Sequence, residues 1–399
     1  MSRVLVTDGD QRSALAVVRS LGRAGHTVIV AAPREASLAG ASRFAAVRAA
    51  VPDPLTASDA FADAVADLSR RHGCDFAVPV TDASSLALLA HADRLAPARM
   101  PGPTIEEFRR ISDKAEVAAA AAAVGIDTPR QARAAVREEV AALAASAALV
   151  PPLVLKPARS VAGDAGGRAR HGVVHAPDWP AAVRRAASLP EGAYPLLVQE
   201  RIVGPGTGVF LLIWDGRVLA SFAHRRLREK PPSGGVSVLC ESVPLDRGLL
   251  DRSVALLSRF GWSGVAMVEY KMDAATGRAA VMEVNGRFWG SLQLAIDAGV
   301  DFPRLLLECA QGRVPEPVTS HRVGVLGRWF WGDVDHLWAR LRRSATALSL
   351  PPDAPGRLGA VAAFLGTAVR GARGQVYQAG DGGPARRELR DRLREVLGR

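Results

Sequence analysis

Cysteine is scarce: Cys74, Cys240 and Cys309 are the only three in 399 residues, and none forms a CxxC pair. A disulfide scaffold and the usual zinc or redox spacings are therefore excluded, and the usage suits a reducing, cytoplasmic setting. No apolar run approaches the roughly 18 residues a membrane span needs. The longest candidate, 358–369, is too short, so no transmembrane segment is expected. The first apolar strand follows Met1 directly, and no signal or transit peptide is expected before it. A GxGxxG fingerprint is also lacking, with Gly9 alone where three glycines would be needed, which leaves a dinucleotide site poorly supported. Disorder is excluded by composition, with 48% hydrophobic and 23% charged residues. Lysine is rarest in proportion. Only Lys114, Lys156, Lys230 and Lys271 stand among 51 basic residues, so each marks a place where a compact ammonium rather than a planar fork is wanted.

What is abundant is arginine, and the formal charge is +11. From His321 onwards 14 arginines face 7 acidic residues, so +7 of the excess lies in the last fifth. The basic balance describes the tail rather than the body, and no nucleic-acid partner is expected.

The chain reads as four parts. The apolar run Val4-Leu5-Val6-Thr7, a helix over 13–23 stopped by Gly25, and a strand over 27–31 begin a parallel α/β sheet. A helix over 59–72, a strand over 76–80 and a helix from Thr81-Asp82 to Ala92 extend it. A linker rich in proline follows at 97–103. Asp113-Lys114-Ala115-Glu116 is a D-x-x-E capping box opening a helix to Val124. The middle is antiparallel-rich α+β. Leu153-Val154-Leu155-Lys156, flanked by prolines, and 196–203 read as strands, and a hairpin turns at Asp215-Gly216. A second pair of strands covers 264–271 and 278–285. The expected division is 1–100, an α/β domain; 101–195 and 196–320, two α+β subdomains; and 321–399, a basic helical extension.

Several residues carry chemistry. Lys114 sits in the first turn of a helix, where the dipole disfavours a cation, which suggests an anion such as phosphate beside it; taken alone, the position favours a solvated surface lysine. Lys156 ends an apolar run and needs a partner if buried; a phosphate would supply one. The loop Ala162-Gly163-Asp164-Ala165-Gly166-Gly167 offers backbone N–H groups and room for close approach, against the alternative of a plain connector. The strongest cluster is Met267-Val268-Glu269-Tyr270 with Met282-Glu283-Val284-Asn285-Gly286-Arg287. Strand alternation puts Glu283 and Asn285 on one face and lets Glu269 face them from the partner strand. Two carboxylates and an amide oxygen in apolar surroundings call for a cation, and all-oxygen ligands favour Mg²⁺. Arg287, just beyond, is placed to meet negative charge on a transferring group.

In their order along the chain these motifs resemble the ATP-grasp superfamily. Lys114 in Ser-Asp-Lys, Lys156 in Leu-Lys-Pro, the glycine loop, Val198-Gln199-Glu200-Arg201-Ile202-Val203-Gly204, Glu269 and Glu283-Val284-Asn285 carry the likeness over 4–312. They are similar to the ATP-binding domains of carbamoyl-phosphate synthase, biotin carboxylase and D-alanine–D-alanine ligase. The resemblance implies an α/β N-terminal domain followed by an α+β ATP-grasp fold of two subdomains. It also implies that Lys114, Lys156, Gly163, Gly166 and Gly167 meet ATP phosphates and the adenine edge. Gln199, Glu200, Arg201, Ile202 and Val203 would form the adenine hinge. Glu269, Glu283 and Asn285 would hold one or two Mg²⁺ ions, with Mn²⁺ as an alternative metal. Arg287 would steady an acyl phosphate, and Arg225 or Arg226 would supply a γ-phosphate cation at the start of a mobile loop over 224–235. Relatives often carry a ribose-binding Glu shortly after the hinge, and Gly204-Pro205-Gly206-Thr207-Gly208 has none.

The activity so implied is ATP-dependent activation of a small-molecule carboxylate for attack by an amine. The alternative is a non-catalytic ATP-binding regulator recruited to a membrane surface by its basic tail. A biotin-dependent carboxylase is a weaker third, since no biotin-attachment segment is apparent. Specificity is expected in the loops 8–12, 81–85 and 228–237. His224, beside the arginines, reads better as structural than as an acid or base. In the tail, Arg328-Trp329-Phe330-Trp331 and His336 to Arg343 read as helix packing tryptophans on the preceding domain with arginines outward, in preference to a membrane or nucleic-acid surface. A homodimer is the base-rate expectation for assembly.

Overall fold

β-Branched runs separated by glycine set up the first sheet. In the computed structural model, which describes residues 1–146, 149–164, 167–351 and 353–398, strands β1 (Arg3–Val6), β2 (Thr27–Ala32), β3 (Ala45–Ala50) and β4 (Phe76–Val78) pair in parallel, in the order β3-β2-β1-β4. Helix Arg12–Arg23 connects β1 to β2 and helix Ser58–His72 connects β3 to β4, while helix Asp82–Leu89 follows β4. β3 escapes a pattern reading because Ala-Ala-Val-Arg-Ala-Ala is an edge strand of small residues with every second one exposed. Asp8, at φ +57° after β1, ties the loops at one end of the sheet: its carboxylate accepts from Val80 N, Thr81 Oγ1 and Ser84 Oγ.

The capping box expected at 113–116 is half formed. Asp113 Oδ1 accepts from Ala115 N and Glu116 N, but Glu116 turns outward to Arg110. The reciprocal box lies one helix earlier, where Thr104 and Glu107 each accept the other's backbone N–H ahead of helix Ile105–Ile111.

A second sheet follows. β5 (Gln131–Ala134) and β6 (Leu153–Pro157) precede the hairpin strands β7 (Val161–Asp164) and β8 (Gly167–Arg170), then β9 (Val174–Ala176) and β10 (Leu196–Glu200). Its antiparallel order is β5-β10-β6-β9, backed by helices Arg137–Ser146 and Trp179–Ala187. The glycine-rich connector is thus arms of a hairpin, with Gly163 opposite Arg168 and Asp164 opposite Gly167, while Gly166 lies outside the described residues.

The largest sheet combines β11 (Gly206–Trp214), β12 (Arg217–Lys230), β13 (Val236–Ser242), β14 (Gly264–Met272), β15 (Ala279–Asn285), β16 (Leu326–Arg328) and β17 (Arg373–Gly374), in the order β15-β14-β11-β12-β13-β16-β17. Asp215 and Gly216, at φ +48° and +73°, make the expected tight turn. β12 runs on to Lys230, so 224–230 is strand rather than loop and only a tip at 231–235 is left to turn. Apolar side chains of helices Leu292–Ala298 and Phe302–Ala310 lie in one core with those of helix Arg12–Arg23 and of β11 and β12, joining first sheet to last.

The tail adds helices Phe330–Arg342, Arg357–Val369 and Gly383–Val396, and also the short strands β16 and β17, which periodicity did not disclose; β17 forms the sheet edge. It is anchored by charge. Arg19 is fully buried and donates to Asp381 Oδ2 at 2.7 Å; Arg228 and Arg328 both bond the buried Asp333. Among the described residues no helix is long and apolar enough to cross a membrane.

Candidate active site

The second and third sheets face each other across a cleft of about 330 Å³. One wall is Val154, Lys156, Val173 and His175 with the crossing segment 199–202; the other is Met267, Glu269, Lys271, Met282, Glu283 and Asn285. Arg226, the tip Ser233–Gly234–Gly235, Ser237, Arg12 and the run Trp289-Gly290-Ser291 close one end.

The acids meet because β14 and β15 pair with Glu269 opposite Glu283. Each faces its own cation. Arg226 clasps Glu269 bidentately, Nη1 to Oε1 at 2.8 Å, and also reaches Glu229 at 3.0 Å. Lys114 Nζ stands 3.6 Å from Glu283 Oε2 and donates to Ser160 Oγ at 2.8 Å. Burial pushes both carboxyls up. At Glu269 that cause, with Glu283 nearby, outweighs Arg226 and the pKa is raised; at Glu283 it is overcome by Lys114, Lys156, the Asn285 amide and Arg287, which hold it at about 2. Asn285 Nδ2 donates to Glu283 at 3.2 Å, and its Oδ1 accepts from Arg287 Nη2 at 2.8 Å. Two carboxylates and an amide oxygen on adjacent strands are a hard-oxygen donor set that fits Mg²⁺.

Three of the four lysines converge here. Besides Lys114, Lys156 rises from β6 beside Met282, with its pKa lowered by burial, and Lys271 lines the cleft while donating to Gly204 O at 3.2 Å. Lys230 instead pairs with Asp335 of the tail. In the segment after β10, the N–H groups of Glu200 and Arg201 are taken by Arg130 O and Pro152 O, and Val203 O accepts from Ala274 N. Among the described residues, no acceptor reaches the N–H of Ile202 or Val203. That leaves two backbone donors beside the apolar pair Val154 and Met282. The side chain of Glu200 is turned away, accepting from Val150 N and pairing with Arg130.

Of the two adjacent arginines, Arg226 faces the cleft. Arg225 lies on the other face of β12, exposed and bonded to Glu241, which corrects its expected place in the site. Arg287 is bound by Asp82 from the first sheet's loops, through Nε at 3.0 Å and Nη2 at 3.1 Å, and by Phe288 O. Asp82 is thus a brace rather than a free substrate group, and Arg228 is likewise committed to Asp333 and Thr367. His224 is buried among Phe210 and Phe222 with both ring nitrogens unpartnered; burial drives its pKa down to about 3. It serves as core, as expected.

Arg12 and Ser237 lie in the loops 8–12 and 228–237 where specificity was expected, whereas Trp289 was not singled out from sequence. Arg12 Nη2 donates to Ser237 O at 3.3 Å and its guanidinium stacks 4.2 Å from the Trp329 ring. The buried Trp289 Nε1 and Ser237 Oγ have no protein partner. These are donors at the end of the cleft, where Arg12 also donates to Gln375 Oε1. Arg12 carried a further signal, standing in the first turn of a helix with neither side-chain cap nor acid in that turn.

Residues 193–329 match the family described as ATP-grasp in the biosynthetic pathway with Ter operon. No curated protein matches the chain by sequence. Among solved structures it is similar to an L-amino acid ligase from Bacillus licheniformis, at TM-score 0.59 and 18% identity over 78% of this chain and 74% of that one. A biotin carboxylase from Campylobacter jejuni gives TM-score 0.63 and 16% identity, covering 82% and 74%. An N5-carboxyaminoimidazole synthetase from Staphylococcus aureus gives 0.62 and 11%, covering 82% and 80%. The chain has the ATP-grasp fold, as the order of its motifs implied.

Proposed function

We propose that this ATP-grasp chain is an ATP-dependent ligase that activates a small-molecule carboxylate as an acyl phosphate for attack by an amine. The observation that carries the reading is the cross-strand Glu269–Glu283 pair with Asn285, set in a cleft that Lys156, Lys271, Arg226 and Arg287 also line. A binding module has no need of that whole set.

The roles follow from position. Adenine fits between Val154 and Met282 with its edge on the free N–H groups of Ile202 and Val203. Lys114, Lys156 and Lys271 face the polyphosphate, and the hairpin strands that hold Gly163 and Gly167 would meet it through backbone N–H groups. Glu269, Glu283 and Asn285 would hold Mg²⁺, which supplies charge neutralisation to the phosphates when bound. Arg226, which faces the cleft from β12 beside Glu269, would meet the γ-phosphate. Arg287, held rigid by Asp82, steadies the acyl phosphate. Arg12, Ser237 and Trp289 Nε1 orient the acid from the far end. Positioning and cations supply most of such acceleration, and no protein nucleophile is needed.

The test is ADP release from Mg·ATP with pooled carboxylic acids and amines, alongside Glu283→Gln. Release that needs both an acid and an amine and is lost in the variant is the expected result. Tight Mg·ATP binding without turnover on any pool overturns the ligase reading; no binding overturns the nucleotide site itself.

A further inference from the structure

The tail helix Arg357–Val369 has no charged residue after Arg357, and Arg370 follows it. It docks through Phe364, which meets the Phe330 ring and lies 4.3 Å from the Arg328 guanidinium, and through Thr367, which accepts from Arg228. Away from that contact it presents Leu358 (87% exposed), Leu365 (62%) and Val369 (90%), with Ala362 exposed between them. Spacings of four, three and four residues put these on one stripe, about 16 Å long at 1.5 Å per residue. The neighbouring helix Phe330–Arg342 leaves Trp338 57% exposed, with Arg342 stacked on it at 4.2 Å. So Trp329 and Trp331 pack partly inward as expected, and Trp338 does not.

Beside the start of this stripe is a cavity of about 580 Å³ lined by Arg201, Arg340, Arg343 and Arg357 with the hydroxyl residues Ser344 and Thr346. No acid is among its described lining residues. Arg201 and Arg340 donate to the backbone carbonyls of Ser349 and Pro355, so no carboxylate neutralises them. Several guanidiniums around one hollow match the oxygens of a phosphate.

We propose that this face docks on a membrane surface containing anionic phospholipid. The stripe Leu358, Ala362, Leu365 and Val369 enters the headgroup–acyl boundary, and the arginine-lined cavity seats a lipid phosphate. Charge decides between lipid and a second copy. A two-fold dimer through this face would crowd Arg342, Arg343, Arg357 and Arg370 against their own counterparts, and among the described residues none of them has an acidic partner. Anionic headgroups neutralise all four. The proposal does not rest on the ligase reading.

The test is sedimentation of the full chain with vesicles of phosphatidylcholine alone, or of phosphatidylcholine with phosphatidylglycerol, at low and high salt. The chain is expected to pellet with the phosphatidylglycerol vesicles, less so as salt rises. Leu365→Glu/Val369→Glu and Arg343→Glu/Arg357→Glu, both at surface positions, should each weaken partition about tenfold or more at unchanged melting temperature. Equal recovery with both lipids, recovery with neither, or wild-type pelleting of either double variant overturns the proposal. So does calorimetric binding of glycerol 1-phosphate that matches the vesicle affinity and survives Leu365→Glu/Val369→Glu, which would make the cavity a soluble-phosphate site. A dimer by light scattering that Leu365→Glu dissolves, without vesicle binding, assigns the face to a second copy and also overturns it.

Discussion

Asp381→Asn is the substitution whose cost is best defined by the structure. Arg19 is wholly buried, and all its acceptors come from the tail: Asp381 Oδ2 at 2.7 Å, Val376 O at 2.7 Å, Gln375 O at 3.2 Å and Asp381 O at 3.3 Å. Asp381 also accepts from Ser42 Oγ at 2.8 Å and Arg43 N at 2.9 Å. The amide keeps the shape and removes the charge, leaving a buried guanidinium with carbonyls alone. Breaking one partner of such a pair costs about 3–5 kcal/mol. At about 2 °C per kcal/mol for a chain of this size, the melting temperature should fall by about 6–10 °C. Arg19→Met/Asp381→Asn should cost less than the sum of its single variants, because neither charge is then stranded. Burial raises the Asp381 pKa, but hydrogen bonds from Arg43 N, Arg19 and Ser42 outweigh it and hold the carboxyl below its ordinary value. Its stabilisation is therefore complete above the unfolded-state value and is lost as pH falls through the lower folded one. The gap between wild type and Asp381→Asn should be widest near neutrality and close below about pH 4. Melting curves with limited proteolysis of the tail are the assay. A change under about 1 °C, or strict additivity in the double variant, would refute the reasoning.

Three other outcomes are expected. Arg226→Met should lower kcat for ADP release about a hundredfold or more, while Arg225→Ala, on the other face of β12, should change it by less than about threefold; similar losses from both would remove Arg226 from its role. Arg12→Met should raise KM for the acid about tenfold with KM for Mg·ATP unchanged, and a matching rise in both would show a general collapse of the cleft. His224→Phe should flatten the acid side of the stability profile. The native ring stays neutral down to about pH 3 while the unfolded one protonates near 6.5, so wild type loses stability as pH falls between those values, at about 1.4 kcal/mol per unit. Equal slopes for both proteins, measured by urea denaturation, would count against a buried neutral imidazole.

Much of the fold was legible because its signals are local. The β1–helix–β2 start, the Asp215-Gly216 hairpin and the β14–β15 pair each follow from a pattern within thirty residues. The pairing of Glu269 with Glu283 follows from alternation on two strands joined by a short turn. Lysine scarcity was also a true signal, since Lys114, Lys156 and Lys271 all reach one cleft. β3, β16 and β17 were not legible: strands so short or so rich in small residues carry no periodicity, and long-range pairing alone makes them strands. The 224–235 stretch read as a loop because its charges hide the alternation, yet Arg226 and Arg228 turn to buried acids that only the fold supplies.

Sequence by itself determined the order of elements, the oxygen donor set and the ammonium groups that face it, since these depend on residue type and spacing along one chain. Tertiary structure decided which of two neighbouring arginines looks inward, because β12 has one face on the cleft and one on solvent. It also brought Asp82 to Arg287 and Asp381 to Arg19, pairs separated by 205 and 362 residues. No local pattern encodes such meetings; they follow from burying a charge where only the packed chain can offer its counter-charge.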